Sequence, residues 1–253
     1  MKFEFKKEGK GGLSLNKGVL IEGLPGIANV GKIAIDYIIE GLKPTLIYSI
    51  TSDFFPSAVF VNSENLLETP KIEIYHKKIN GKDFLFLSGN TQPVNEASYE
   101  FCREIISLVS KWGCNTIVTT GGIGLLAPPE KPLVYCAGKD LKFIENFKKE
   151  LKISHNVFGA VGSISGVAGL LVGLSDPRKI NGVVLLVETL AHPLYVGMEG
   201  ANELLKVIEK KFKLGVNLKS YSKEMKDLSK SIQKLDLAEH IDPDTKDSVN
   251  YIG

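Results

Sequence analysis

Short apolar runs alternate along this chain with segments of helical spacing, and that alternation constrains the fold more than any other feature. Gly18-Val-Leu-Ile-Glu22 reads as a buried strand followed by a glycine-rich turn. Val30 to Glu40 then has helical spacing, with Ile33, Tyr37, Ile38 and Leu42 available for packing. Thr45 to Ile50 is another apolar strand. Lys71 to Ile79 and Asp83 to Leu87 flank Asn80-Gly81, the strongest short hairpin signal in the sequence. Asn95 to Trp112 predicts a helix, Asn115 to Thr120 a strand ending in Gly121-Gly122, Leu133 to Ala137 a strand, and Asp140 to Leu151 a helix. Asn181 to Glu188 is a fully buried strand, and a helix follows from Glu199 to Phe212. Such a sequence predicts an α/β fold: a mainly parallel twisted sheet with helices on both faces and one antiparallel hairpin added.

Composition agrees. The 253 residues are 43% hydrophobic and 24% charged, enough apolar surface for a sizeable core and too much for a disordered chain. The 31 Lys+Arg against 29 Asp+Glu leave a net charge of +2, without the basic excess that a nucleic-acid binder needs. Cys102, Cys114 and Cys136 match no disulfide or metal spacing and fit a reduced cytoplasmic protein in which they are buried as small apolar residues. The N-terminal MKFEFKKEGKGG has no apolar signal core, so no export route is expected.

One stretch competes with the soluble reading. Ile153 to Ser175 contains no Asp, Glu, Lys or Arg and is long enough to cross a membrane. Its five glycines and four serines, and the absence of an aromatic belt, favour a buried helix in a protein with no membrane contact. Gly162, Gly166, Gly169 and Gly173 would let that helix approach a sheet or another subunit closely.

Residues 1–235 are read as one domain that includes a C-terminal amphipathic helix. Met225, Leu228, Ile232 and Leu235 form an apolar stripe on it, which either closes the domain's own core or packs against another subunit. Residues 236–253 are read as a flexible tail. Asp236, Glu239, Asp242, Asp244 and Asp247 face only Lys246, and the chain ends in an apolar and aromatic tip, Val249-Asn250-Tyr251-Ile252-Gly253.

Candidate chemistry is incomplete everywhere. Gly26-Ile-Ala-Asn-Val-Gly31-Lys32 begins like a phosphate-binding loop between a strand and a helix, but Ile33 stands where a Ser or Thr would ligate magnesium. Gly162-Ser-Ile-Ser-Gly166 has Ile164 where a nucleophile elbow has serine. His76, His155, His192 and His240 are scattered, and Glu188 with His192 is the one spaced Glu–His pair. No catalytic residue, metal site or cofactor is therefore expected. Gly26, Gly31, Lys32, Gly121 and Gly122 remain candidates for a small-molecule crevice, because open α/β sheets bind ligands at the carboxyl ends of their strands. A nucleotide- or nucleoside-binding enzyme or sensor is the alternative function that this crevice suggests.

Five blocks in order carry a family resemblance: Gly23-Leu-Pro-Gly-Ile-Ala-Asn-Val-Gly31, Leu87-Ser-Gly-Asn-Thr-Gln-Pro93, Thr120-Gly-Gly-Ile-Gly124, Gly162-Ser-Ile-Ser-Gly-Val-Ala-Gly-Leu-Leu171 and Leu185-Leu-Val-Glu-Thr189. Over about residues 15 to 230 the chain resembles the proteasome assembly chaperone 2 family. The resemblance implies a phosphorylase-like α/β fold, cytoplasmic homo-oligomers, no enzymatic activity, and a role in assembling or capping the proteasome core particle. It also implies that the C-terminal tail inserts between α-subunits, which makes Val249, Tyr251, Ile252 and Gly253 the partner-binding residues. Two departures stand out: the tyrosine is third from the end where the family's is penultimate, and Val187 replaces a glycine before the Glu-Thr pair.

Overall fold

All six residues of β2 (Gly18–Gly23) are buried, as happens to a strand covered on both faces, and the rest of the fold is arranged around it. The computed structural model describes residues 2–9, 12–153 and 157–223. The chain divides into two units, Met1–Val216 and Asn217–Gly253. In the second, residues 218–223 are helical; the stripe Met225, Leu228, Ile232 and Leu235 and the tip Val249, Tyr251, Ile252 and Gly253 lie outside the described residues.

The first unit runs β1 (Glu4–Lys7), β2, α1 (Val30–Leu42), β3 (Thr45–Thr51), β4 (Phe60–Val61), β5 (Leu67–Glu68), β6 (Ile72–Ile79), β7 (Lys82–Gly89), α2 (Asn95–Trp112), β8 (Cys114–Leu125), β9 (Val134–Gly138), α3 (Leu141–Lys148), α4 (Gly166–Leu174), β10 (Asn181–Leu190) and α5 (Met198–Phe212). An eight-stranded sheet has the order β1-β3-β6-β7-β2-β8-β10-β9, and β4 pairs with β5 apart from it. The pairs β7–β2, β2–β8 and β8–β10 are parallel, whereas β1–β3, β3–β6, β6–β7 and β10–β9 are antiparallel. Followed across the sheet, β3, β7, β2, β8 and β10 all point one way, so the sheet is mainly parallel as the alternation predicts. The Asn80-Gly81 hairpin joins β6 to β7, with Asn80 at φ 48° and Gly81 at φ 78° as a tight hairpin turn requires.

Alternation along the strands separates two layers. Leu20, Leu85, Ile117 and Val184 pack with Phe101 and Ile105 of α2 and Val167 and Leu171 of α4. Val19, Ile21 and Gly23 point to the opposite face, where α1 and α5 lie together. Each fully buried Leu, Ile or Phe contributes about 1.5–3 kcal/mol, so these layers supply most of the stabilisation. All three cysteines are buried and free, and burial pushes the thiol of Cys114 up to about 11 and that of Cys136 up to about 12.

Two local readings need correction. The strand predicted to stop at Thr120 continues to Leu125, because β10 pairs with it through Gly121, Gly122 and Gly124. Among the described residues of the charge-free stretch, Gly166–Leu174 is helical and those before it form turns, bends and irregular chain. Gly166 has φ +80°, a left-handed conformation that glycine adopts without cost. Among the described residues, no helix is long and apolar enough to cross a membrane.

Candidate ligand crevice at the sheet switch point

After β2 the chain turns toward β3 on one side of the sheet, and after β8 it turns toward β9 and β10 on the other. The carboxyl ends of β2 and β8 therefore diverge at a topological switch point, the place where open α/β sheets carry their crevice. A cavity of about 470 Å³ lies there, within the range of small-molecule sites. Gly26, Gly31, Gly121 and Gly122 all line it, so the structure brings four of the five candidate crevice residues to one wall.

Close backbone approach explains two of these glycines. A Cβ on Gly31 would fall 2.4 Å from Thr120 Oγ1, and one on Gly122 would fall 2.8 Å from the Ile27 carbonyl oxygen. The start of α1 is thus pressed against β8. The link from β2 into α1 is a single 3-10 turn, Ile27–Asn29, in which Ala28 and Asn29 hold φ values of 50° and 54°. Left-handed non-glycine residues cost on the order of 1–3 kcal/mol each unless the surroundings hold them. Here the Gly197 N–H donates to the Ala28 carbonyl at 2.8 Å, clasping this turn to the loop before α5.

Lys32, the fifth candidate, does not line the cavity. Its ammonium pairs with Asp36 one turn along α1, and Ser88 donates to the other Asp36 oxygen at 2.5 Å. The lysine is committed to the helix surface, so the phosphate-loop resemblance ends at the backbone.

The crevice's distinctive group is Glu22, 1% exposed, which sequence reading treated only as the end of a strand. Its carboxyl accepts the Leu24 N–H at 2.9 Å and the Thr120 N–H at 3.4 Å. Burial pushes it up from its ordinary 4.5 to about 8, because the charge is desolvated and the two N–H donors recover only part of that cost. Among the described residues lining the cavity, Glu22 is the sole Asp, Glu, Lys, Arg or His. A carboxyl interrupting the apolar run Gly18–Gly23 was the available signal. Gln92 was also missed. Its side-chain N–H donates to the Pro25 carbonyl, and its oxygen accepts the Val167 N–H at 3.0 Å. It straps the turn after β2 to the start of α4 across the crevice.

Other sequence candidates have structural partners. Glu188 accepts from the Leu133 N–H at 3.0 Å and the Tyr135 hydroxyl at 2.7 Å, holding the edge strand, while His192 Nδ1 accepts the Leu194 N–H. His76 pairs with Asp83 at 3.0 Å. Ser163 and Ser165 line the cavity from the loop before α4. Among the described residues, no group of three or more His, Cys, Asp or Glu side chains is placed to hold a metal ion.

The family model described as the PAC2 family matches residues 20–236. The chain belongs to the PAC2 family. Among proteins similar to this PAC2 member is the Methanocaldococcus jannaschii protein MJ1210, 28% identical over 248 residues, covering 94% of this chain and 93% of that one. Two solved structures from Pyrococcus furiosus share the fold. PbaB, described as an archaeal proteasome activator, has a TM-score of 0.82 and 25% identity, covering 93% of this chain and 100% of its own. PbaA, described as an archaeal homolog of proteasome-assembly chaperone, has a TM-score of 0.77 and 19% identity, covering 95% and 94%.

Proposed function

We propose that this protein is a non-enzymatic, homo-oligomeric scaffold of the cytoplasm. It binds proteasome α-subunits or the core particle through its C-terminal tip, and so assists core-particle assembly or caps the α-ring. The observation that carries this reading is PAC2 membership together with likeness to a proteasome activator at 25% identity over 93% of the chain.

The sequence of the tip supplies the contact chemistry. Val249, Tyr251 and Ile252 offer apolar and aromatic surface, and the Gly253 carboxylate offers a charge for a basic receptor group. One such peptide binds weakly. Several copies on one oligomer gain affinity by 10²–10⁴, roughly, because each later contact is intramolecular. Met225, Leu228, Ile232 and Leu235 are the residues assigned to holding the oligomer together.

The nucleotide alternative has less behind it. Lys32 is paired with Asp36 and absent from the cavity, and the lining offers a carboxyl where a phosphate site would need positive charge.

The test is capture of α-subunits, assembled rings and core particles by the intact protein and by a chain lacking Tyr251–Gly253. Capture that depends on those three residues is expected; equal capture by both forms would end the tail mechanism. Sedimentation of the intact protein at micromolar concentration should give an oligomer, and a sharp monomer would remove the multivalent part.

A further inference from the structure

The crevice at the switch point has a chemistry of its own that scaffolding does not use. Its walls are mostly glycine backbone and apolar side chains such as Leu24, Val161 and Leu186, with Ser163 and Ser165 adding hydroxyls. Two helices begin beside it: α1 at Val30, whose N-cap Asn29 makes no side-chain cap bond, and α4 just after Ser165, where Gln92 takes the Val167 N–H. Helix starts present N–H donors and partial positive charge.

Glu22 completes this set. Both of its oxygens accept backbone N–H groups, and it borders the cavity. Among the described residues, neighbouring elements supply no counter-charge. Cys102 on α2 is a thiol kept protonated by burial, and α4 has no charged residue. Leu87 and Thr119 are the residues beside Glu22 on β7 and β8, and Lys32 and Asp36 on α1 pair with each other. The site thus gathers donors without a net cation. It suits an acceptor oxygen that carries no full charge.

We propose that the crevice binds a small uncharged molecule through an amide or ketone carbonyl oxygen, which accepts a hydrogen bond from the protonated carboxyl of Glu22. A buried carboxylic acid that stays protonated at neutral pH can act as a donor in this way. Charged ligands are disfavoured because the mostly apolar walls would strip water from their charge with no counter-ion in place. This inference is independent of proteasome binding.

The sign of the pH dependence follows from Glu22, pushed up to about 8 by burial. Binding holds at pH 6, where the carboxyl is protonated, and weakens about tenfold by pH 9, where roughly a tenth remains so.

The test uses the full chain and three probe pairs, each an uncharged carbonyl compound beside a charged relative: nicotinamide and nicotinate, 2-piperidone and piperidine, cyclohexanone and cyclohexylamine. Calorimetry and thermal shift at pH 6, 7.5 and 9 should show binding of carbonyl members only, with the tenfold loss at high pH. Glu22→Gln keeps an N–H donor, so it should still bind while losing the pH dependence; Glu22→Leu should not bind. Tighter binding of amines or carboxylates, affinity that rises with pH, or no response to any carbonyl probe would each overturn the proposal. The probe pairs and the wild-type pH profile decide the matter even where a variant fails to fold.

Discussion

Replacing Glu22 by glutamine removes an ionisable group from the core while keeping its shape, and the structure fixes what should follow. The carboxyl ionises near its ordinary 4.5 in the unfolded chain but near 8 in the fold. Below 4.5 both states hold the proton, and Glu22 costs nothing. Between 4.5 and 8 only the folded state holds it, so the unfolded state gains and stability falls as pH rises. Above 8 both states are ionised and the loss levels off. At ~1.4 kcal/mol per pH decade, the full loss is about 5 kcal/mol, of which about 4 kcal/mol falls between pH 5 and pH 9. Subtracting the glutamine variant's unfolding free energy from that of the wild type cancels every other titrating group. Urea denaturation of both proteins at pH 5, 7 and 9 should therefore show the difference moving by about 4 kcal/mol in favour of glutamine. For a domain of this size that is about 8–16 °C in Tm. A difference that changes by less than about 1 kcal/mol over this range would refute the claim that Glu22 is held protonated by burial.

Three further substitutions probe how the crevice and the sheet are held. Gly31→Ala places a Cβ 2.4 Å from Thr120 Oγ1 and should cost about 1–3 kcal/mol, whereas Gly26→Ala, whose Cβ meets nothing within 4 Å, should change thermal unfolding little. Gly166→Ala puts a side chain at φ +80° and 2.8 Å from Gln92 Oε1, and should lose at least about 1 kcal/mol in chemical denaturation. Asp83 is buried, which alone would raise it, but the His76 ring, the Asn16 N–H and Lys78 together hold it below its usual range. Its contribution is present above about pH 4 and is lost as pH falls further. The wild type should outlast Asp83→Asn by about 1–3 kcal/mol at pH 6, and that margin should shrink as pH falls below about 4.

The parts of the fold that are legible in the sequence are those whose local chemistry agrees with their surroundings. The apolar runs around Val19–Ile21 and Val183–Val187 could only be covered strands, and Asn80-Gly81 could hardly be anything but a hairpin turn. The helix predicted over Asn95–Trp112 has those bounds in the structure, since its apolar residues recur at helical steps. One edge of the sheet was hidden, although the strand at the other edge, β9, was legible. β1 (Glu4–Lys7) has the sequence EFKK with no buried position, and it becomes a strand because it pairs with β3. The glycines of β8 look like a turn until β10 is placed beside them, since only tertiary pairing explains why a strand tolerates them. At the crevice, Gly26, Gly31, Gly121 and Gly122 were visible because glycine advertises close approach. Lys32 was misplaced because its (i,i+4) partner Asp36, on the same face of α1, holds it away from the cavity. Glu22 and Gln92 could not be read from spacing, because their partners at Thr120, Pro25 and Val167 come from other parts of the chain.

The central functional claim places the C-terminal tip on a proteasome α-subunit. It is tested most directly by replacing Tyr251 with a photo-crosslinking phenylalanine analogue and irradiating the protein with core particles. The account predicts crosslinks from position 251 to α-subunits, lost on competition with unlabelled intact protein and kept on competition with the Tyr251–Gly253 deletion. Binding of the labelled protein without any α-subunit crosslink would contradict it.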